Sequence, residues 1–179
     1  MYYGFNSLNV RHKVFISFYH HDDQKYKDYI DAHLSSNIIN KSVSDGEYDS
    51  DNSDEYIKRL IREDKISDSS VIVVLVGPNT WRRKHVDWEI YAGLRDSVNG
   101  SAGLVAIMLP ELRTSTDGGW FYDDMPDRLA DNVRSGYAEC YAWKYAIQNF
   151  NTIIEEAFKN RVSKKALKDN SRKQMQRNV

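Results

Sequence analysis

The stretch Val71-Ile72-Val73-Val74-Leu75-Val76 is a run of six apolar residues without a polar position. Such a run lacks the alternation of a half-exposed strand and is typical of a strand inside a parallel sheet that is covered on both faces. Four other runs have strand length and are rich in β-branched or aromatic residues. They cover residues 13–19, 38–43, 103–109 and 137–143.

Segments with helical periodicity separate these runs. The predicted helices cover residues 22–34, 53–66, 85–97 and 126–134, and a last one begins near residue 146. In the first of them, one stripe combines Tyr26, Tyr29, Ile30 and His33. Strands that alternate with helices through short links indicate βαβ units. The sequence therefore predicts an α/β fold: a single doubly wound, flavodoxin-like domain with a five-stranded parallel sheet flanked by helices.

The composition excludes several classes of protein. Of the 179 residues, 41% are apolar, which is too many for a disordered chain. The single cysteine, Cys140, cannot form an internal disulfide, and this favours a reducing compartment. No apolar run approaches the roughly 18 residues of a membrane span, and residues 1–11 lack the apolar centre of a signal peptide. We therefore expect a cytoplasmic, soluble protein without a membrane partner.

The net charge of -1 conceals an uneven distribution of charge. Residues 161–179 carry seven basic side chains and one acidic one, whereas residues 1–160 carry a net charge of -7. An acidic body argues against nucleic acid as the partner. We predict an N-terminal extension over 1–12, the main domain over 13–160, and a basic C-terminal helical extension or tail over 161–179.

Ligands of doubly wound sheets lie beyond the carboxyl ends of the strands, so the loops over residues 18–23, 44–53 and 77–84 are the candidates for a site. A phosphoacceptor aspartate would end the third strand of a receiver domain, but this strand ends at Val76-Gly77-Pro78. A glycine-rich dinucleotide turn and a Walker lysine loop are also missing. The acidic residues 45–51 do not place a glycine and a closing glutamate at the offsets of a calcium-binding EF-hand, so no metal site is predicted.

Glu89 is the strongest candidate for a chemical role. It lies about 60° from Val86 at the edge of the third helix's apolar stripe, in the opening turns of that helix. Trp81, Trp88 and Tyr91 supply aromatic surface nearby in the sequence. An ionised carboxylate in such surroundings can stabilise the oxocarbenium ion that forms when a glycosidic C–N bond breaks. The alternative is a glutamate that makes an ordinary ion pair.

Three motifs resemble the bacterial TIR-like domain family, and in particular its members from the Thoeris anti-phage defence system. The motifs are Val14-Phe15-Ile16-Ser17-Phe18-Tyr19-His20-His21-Asp22-Asp23, Ser69-Ser70-Val71-Ile72-Val73-Val74-Leu75-Val76-Gly77-Pro78-Asn79-Thr80-Trp81 and Val86-Asp87-Trp88-Glu89-Ile90. The resemblance extends over residues 13–158. The combined spacing of three separate motifs is more specific than any one of them.

The resemblance implies an enzyme that cleaves the nicotinamide–ribose bond of NAD⁺, with Glu89 as the catalytic glutamate. Where many relatives have an aromatic residue four positions before that glutamate, this chain has His85. NAD⁺ is then the substrate, and no cofactor or metal is expected. The substrate-binding residues that the resemblance implies are Ser17, Phe18, Tyr19, His20, Asp45 and Trp81.

The resemblance also implies a signalling role. The product would be a cyclic ADP-ribose isomer that activates a partner effector of the ThsA type, which carries a sirtuin-like NAD-consuming domain. A phage-derived trigger and a homo-oligomer are further partners to be expected. Two other functions remain open: a non-catalytic TIR adaptor that acts by self-association and protein binding, and a different N-glycosidase related to nucleoside deoxyribosyltransferases.

Overall fold

A five-stranded sheet with all strands parallel forms the centre of the molecule. The computed structural model describes residues 11–42, 63–98 and 100–179. The strands lie in the order β2-β1-β3-β4-β5, which is the flavodoxin-like order. This arrangement confirms the predicted fold class. The strands are β1 (His12–Ser17), β2 (Ile38–Asn40), β3 (Val71–Val76), β4 (Gly103–Met108) and β5 (Glu139–Ala142).

The central strand β3 is the apolar run that indicated the fold. It pairs with β1 on one side, where Ser17 lies opposite Val74, and with β4 on the other. All six of its residues are buried. Val71, Val73 and Leu75 face one hydrophobic core, and Ile72, Val74 and Val76 face the other. Because both faces are covered, neither needs a polar side chain.

Helices cover both faces of the sheet. On one face, the core contains residues of α1 (His20–His33), α5 (Trp143–Gln148) and α6 (Phe150–Ser163). On the other face lie α2, of which residues 63–67 are described, α3 (Lys84–Leu94) and α4 (Asp127–Arg134). The last predicted helix is interrupted at Asn149, which separates α5 from α6. Most of the helix predicted over 53–66 lies outside the described residues.

The predicted apolar stripe of α1 is wrong for two of its four members. Tyr29 is 38% exposed, and His33 is exposed as well, with its Nδ1 2.9 Å from the carbonyl oxygen of Tyr29. The helix instead buries Asp23, Lys27 and Ile30, which share one face at spacings of four and three residues. Lys27 pairs with Asp31 on the same helix, and Asp23 accepts a hydrogen bond from Thr80 after β3. Hydropathy does not reveal these partners.

The chain returns over α3 and α4 after α6 ends at Ser163. It passes through a single 3₁₀ turn, Lys165–Leu167, and then runs without helix or strand to residue 179. We call residues 168–179 the strap. Among the described residues, no helix is both long and apolar enough to cross a membrane.

Candidate active site

The first contact of the site joins the end of β1 to the middle of α3. The Ser17 hydroxyl donates a hydrogen bond of 2.6 Å to Oε2 of Glu89. Both residues are buried, with exposures of 1% and 6%. Burial of a carboxylate is costly unless polar groups replace its water, and a donated hydrogen bond is one such replacement. The pair therefore fixes a desolvated carboxylate at the carboxyl edge of the sheet.

The packing of α3 explains why Glu89 points towards β1. Val86 and Ile90 are fully buried against the sheet, and Glu89 lies beside them on the helix surface. The angular position that the sequence indicated therefore places the carboxylate at the edge of the core and against the end of β1. The catalytic role assigned to Glu89 stays a prediction.

The loop after β1 forms a wall of rings beside this pair. The Phe18 ring is only 3% exposed and packs in the core, 4.2 Å from the ring of His20 between centroids. The carbonyl oxygen of Phe18 lies 3.2 Å from Nε2 of His85, the residue four positions before Glu89. The rings of Tyr19 and His20 lie 6.5 and 6.3 Å from that of His85. The structure thus brings residues 17–20 together with the first turns of α3.

The structure describes one of the two other predicted substrate-binding residues, Trp81, but not Asp45. Trp81 lies in the 3₁₀ turn Thr80–Arg82 just before α3, where its partly exposed indole ring is 4.7 Å from the guanidinium of Arg82. Asp45 lies outside the described residues. Trp81 therefore lies at the same edge of the sheet as Glu89, and its role in substrate binding stays a prediction.

Sequence reasoning missed a cluster of polar residues that joins the loops after β1 and β3. The Thr80 hydroxyl donates a hydrogen bond of 3.0 Å to Asp23, and the Asn79 amide donates one of 2.7 Å to Asp22. Thr80 also accepts a hydrogen bond from the backbone N–H of Gly77. A Cβ at Gly77 would overlap the Asp23 carboxyl group, so a larger residue there would displace that group from its hydrogen bond with Thr80. The two loops that border Glu89 are thereby held together.

Burial raises the pKa of Asp23 from its ordinary value of 3.8 to about 6, and the Thr80 hydrogen bond offsets part of this effect. The pKa of Asp22 is lowered, because His21 and Asn79 make hydrogen bonds to its carboxylate. The pKa values of these two adjacent carboxyl groups are thus shifted in opposite directions. Asp23 therefore stays protonated to a higher pH than an ordinary aspartate does.

The raised pKa predicts how stability depends on pH. A carboxyl group that binds protons more tightly in the folded state stabilises the protein below pH 4, and this contribution is lost as the pH rises through about 6. We expect Asp23→Asn to remove this loss, so that the stability of the variant relative to wild type increases between pH 4 and 7. Urea denaturation across that range measures the difference.

The exposed Asp28 on the same helix provides the control. Asp28→Asn should change stability by a similar amount at every pH in the range. A constant difference between Asp23→Asn and wild type from pH 4 to 7 would show that Asp23 is ionised throughout and that its pKa is not raised.

Acidic and basic side chains lie at the same edge of the sheet. Glu89 offers a buried carboxyl group next to a hydroxyl group and to aromatic rings. At the same edge, the Arg83 guanidinium lies 3.8 Å from the centroid of the Tyr19 ring, and Arg82 lies over Trp81. Stacked arginines retain donors for a phosphate. In the part of the chain that the structure describes, no three His, Cys, Asp or Glu side chains converge as metal ligands.

Comparison with known proteins identifies the family of the chain. The chain matches the family described as Thoeris protein ThsB, TIR-like domain, over residues 15–114. The match begins in β1 and ends after β4, so it includes Ser17, Glu89 and the loops after β1 and β3. A search of curated proteins and one of solved structures each gave no match. Since the matched segment spans more than half of the 179 residues, the chain belongs to the Thoeris ThsB family of TIR-like domains.

Proposed function

We propose that this protein is an anti-phage defence enzyme that cleaves the nicotinamide–ribose bond of NAD⁺. In this proposal the product is a cyclic ADP-ribose isomer, and Glu89 is the catalytic residue. NAD⁺ is the substrate, and the reaction uses no resident cofactor. Membership of the Thoeris ThsB family supports the defence role.

The buried hydrogen bond between Ser17 and Glu89 is the observation that carries the proposal. It holds one carboxylate oxygen 2.6 Å from the serine hydroxyl, at the strand ends where a dinucleotide would lie. A charge that is already oriented and partly desolvated stabilises a developing cation more than a solvated one would, because little reorganisation is needed during the reaction. The ribosyl cation of NAD⁺ is such a species.

The proposed reaction balances without an oxidant or a metal. The bond between ribose C1′ and the nicotinamide nitrogen breaks, and its electron pair leaves with the ring, which becomes neutral nicotinamide. The ribosyl oxocarbenium ion that remains is paired with the Glu89 carboxylate. A nucleophilic group of the same molecule then attacks C1′ and releases one proton. The products are nicotinamide, a cyclic ADP-ribose isomer and H⁺.

Residues of the loops around Glu89 can be given roles in this reaction. Ser17 orients the carboxylate, and the rings of Tyr19 and His20 offer stacking surface. Trp81 lies at the entrance to α3 and offers a second stacking surface. We include Phe18 through its backbone and Asp45 as further substrate contacts, because the family resemblance assigns the loops after β1 and β2 to the nucleotide.

The wider assignment follows from the family. We propose residues 13–160 as the TIR-like domain, with an N-terminal extension over 1–12 and a basic C-terminal helical extension or tail over 161–179. A ThsA-type effector would receive the cyclic nucleotide as a diffusible signal. A phage-derived trigger and self-association into a homo-oligomer complete the proposed set of partners.

The test is mass spectrometry of the products formed from NAD⁺ by the full-length protein and by Glu89→Gln. Purified protein and lysates of phage-infected cells are both assayed, because activity can depend on a trigger. We expect nicotinamide and a product with the mass of cyclic ADP-ribose from the wild type. Linear ADP-ribose alone would support cleavage and contradict cyclisation.

Two outcomes would replace the proposal. No product from wild-type protein under either condition would favour the TIR adaptor, which acts by self-association and protein binding. Release of a free nucleobase from nucleosides, with NAD⁺ left intact, would favour the other N-glycosidase.

A further inference from the structure

The strap lies on the outer side of α3, away from the sheet. The indole Nε1–H of Trp88 donates a hydrogen bond of 2.8 Å to the carbonyl oxygen of Met175. The side-chain amide of Asn170 donates one of 3.1 Å to the carbonyl oxygen of Tyr91. At the strap's start, Lys168 pairs with Asp96 just beyond the end of α3. The strap therefore follows the length of the helix that carries Glu89.

Buried polar side chains line the place where the strap lies. Asp87, Arg128 and Asn132 are at most 1% exposed. Asp87 accepts a hydrogen bond from Arg128 on one oxygen, at 2.9 Å, and from the Met175 backbone N–H on the other, at 2.8 Å. Asn132 exchanges two hydrogen bonds with the backbone of Asp169. Since buried polar groups are costly when they lack partners, these groups fix the strap in one position.

The end of the strap reaches the first turn of α3. The helix begins after Arg83, whose side chain makes no capping hydrogen bond. Instead, Oδ1 of Asn178 accepts a hydrogen bond of 2.9 Å from the backbone N–H of Lys84. The backbone N–H of Val179 donates one of 3.2 Å to the carbonyl oxygen of Arg82. Asn178, which lies 94 positions from Lys84 in the sequence, therefore caps the N-terminus of α3.

These contacts lie opposite Glu89 on the helix. At 100° per residue, Asp87 is about 160° from Glu89 around the helix axis. The strap therefore contacts one side of α3, while the Ser17 hydroxyl contacts the other. A helix moves as a rigid element, so a support on its outer side determines where its inner side lies.

We propose that the strap positions the catalytic helix, with Asn178 as a positioning residue for Glu89. This inference rests on the proposed function of Glu89. The Asn178 cap holds the first turn of α3 and keeps the carboxylate within hydrogen-bonding distance of Ser17. Without the cap the strap no longer holds that end of α3, so the helix can shift as a unit and the carboxylate spends less time in its reactive position.

The test compares full-length Asn178→Ala with Asn178→Asp and wild type. Alanine removes the capping acceptor, whereas aspartate retains one, so aspartate is expected to restore the wild-type behaviour. For Asn178→Ala we expect kcat for nicotinamide release to fall about fivefold with little change in KM, which is the effect of losing one helix cap. Hydrogen exchange of the backbone amides in the first turn of α3 should accelerate by a similar factor. Asn151→Ala, at an exposed position on α6, is the matched control.

The exchange measurement does not depend on catalysis, so the two proposals can fail separately. If the wild-type protein does not cleave NAD⁺, the proposed function is wrong. Faster hydrogen exchange in Asn178→Ala would in that case still show that the strap stabilises α3. Unchanged exchange would overturn the inference whatever the activity. Faster exchange with an unchanged kcat would overturn the positioning role. An equal loss of kcat in Asn178→Asp would do so too.

Discussion

The Glu89→Gln variant is expected to release nicotinamide from NAD⁺ at least about 100-fold more slowly than wild-type protein. Glutamine has nearly the same shape and can still accept a hydrogen bond from Ser17, so the change removes the negative charge and little else. The charge stabilises the ribosyl cation only as that cation forms, and for this reason kcat should fall much more than KM rises. Initial rates of nicotinamide release, measured by chromatography, test the expectation.

Two controls make this result specific. Glu156→Gln is the same chemical change at an exposed position on α6 and should retain wild-type activity. The melting temperature of Glu89→Gln should be at least that of wild type, because a neutral amide is easier to bury than a carboxylate. Equal rates from Glu89→Gln and wild type would show that another group carries the chemistry.

The free energy of unfolding of the Arg128→Met variant is expected to be about 3–5 kcal/mol lower than that of wild type. The Arg128 side chain is fully buried and lies 2.9 Å from the Asp87 carboxylate, whose side chain is 2% exposed. Methionine fills much of the same volume but leaves that carboxylate buried without its cation. Since small domains have only about 5–15 kcal/mol of stability in total, the loss should be evident in urea denaturation followed by circular dichroism.

A second substitution separates the charge from the packing. In Arg128→Met/Asp87→Leu the uncompensated carboxylate is gone, so most of the lost stability should return. The Met175 N–H then lacks its acceptor, which leaves a deficit of about 1 kcal/mol. Arg172→Met breaks the more exposed ion pairs with Asp131 and Asp127 and should cost less than about 1 kcal/mol. A loss of that small size in Arg128→Met would mean that the buried pair contributes little.

The fold was predictable because its main signal is local. A run of six apolar residues at β3 requires cover on both faces, and the alternation of strands with helices then leaves few topologies. Hydropathy failed on α1, because Asp23 and Lys27 on the buried face have polar partners. It also missed the interruption at Asn149, since α5 and α6 both carry apolar residues that face the same core.

The candidate site was predictable in part. The angle of Glu89 on α3 follows from helix geometry, and the strand ends indicated which loops would surround it. The contact of Glu89 with Ser17 joins residues 72 positions apart, and no spacing in the sequence indicates it. The links from Asp22 to Asn79 and from Asp23 to Thr80 each span 57 positions and were missed for the same reason.

The sequence by itself determined the layer architecture of this protein and the angular position of Glu89 on α3, because both depend on short-range periodicity. The catalytic role of Glu89 follows from the family resemblance and stays a prediction. Only the tertiary structure decided which groups support that carboxylate. Ser17 on one side of α3, the Asp87–Arg128 pair, and the Asn178 cap on the other come from segments that are 41 to 94 residues apart. These pairings form because a buried polar group without a hydrogen-bond partner is costly in the folded protein. No local pattern in the sequence indicates them.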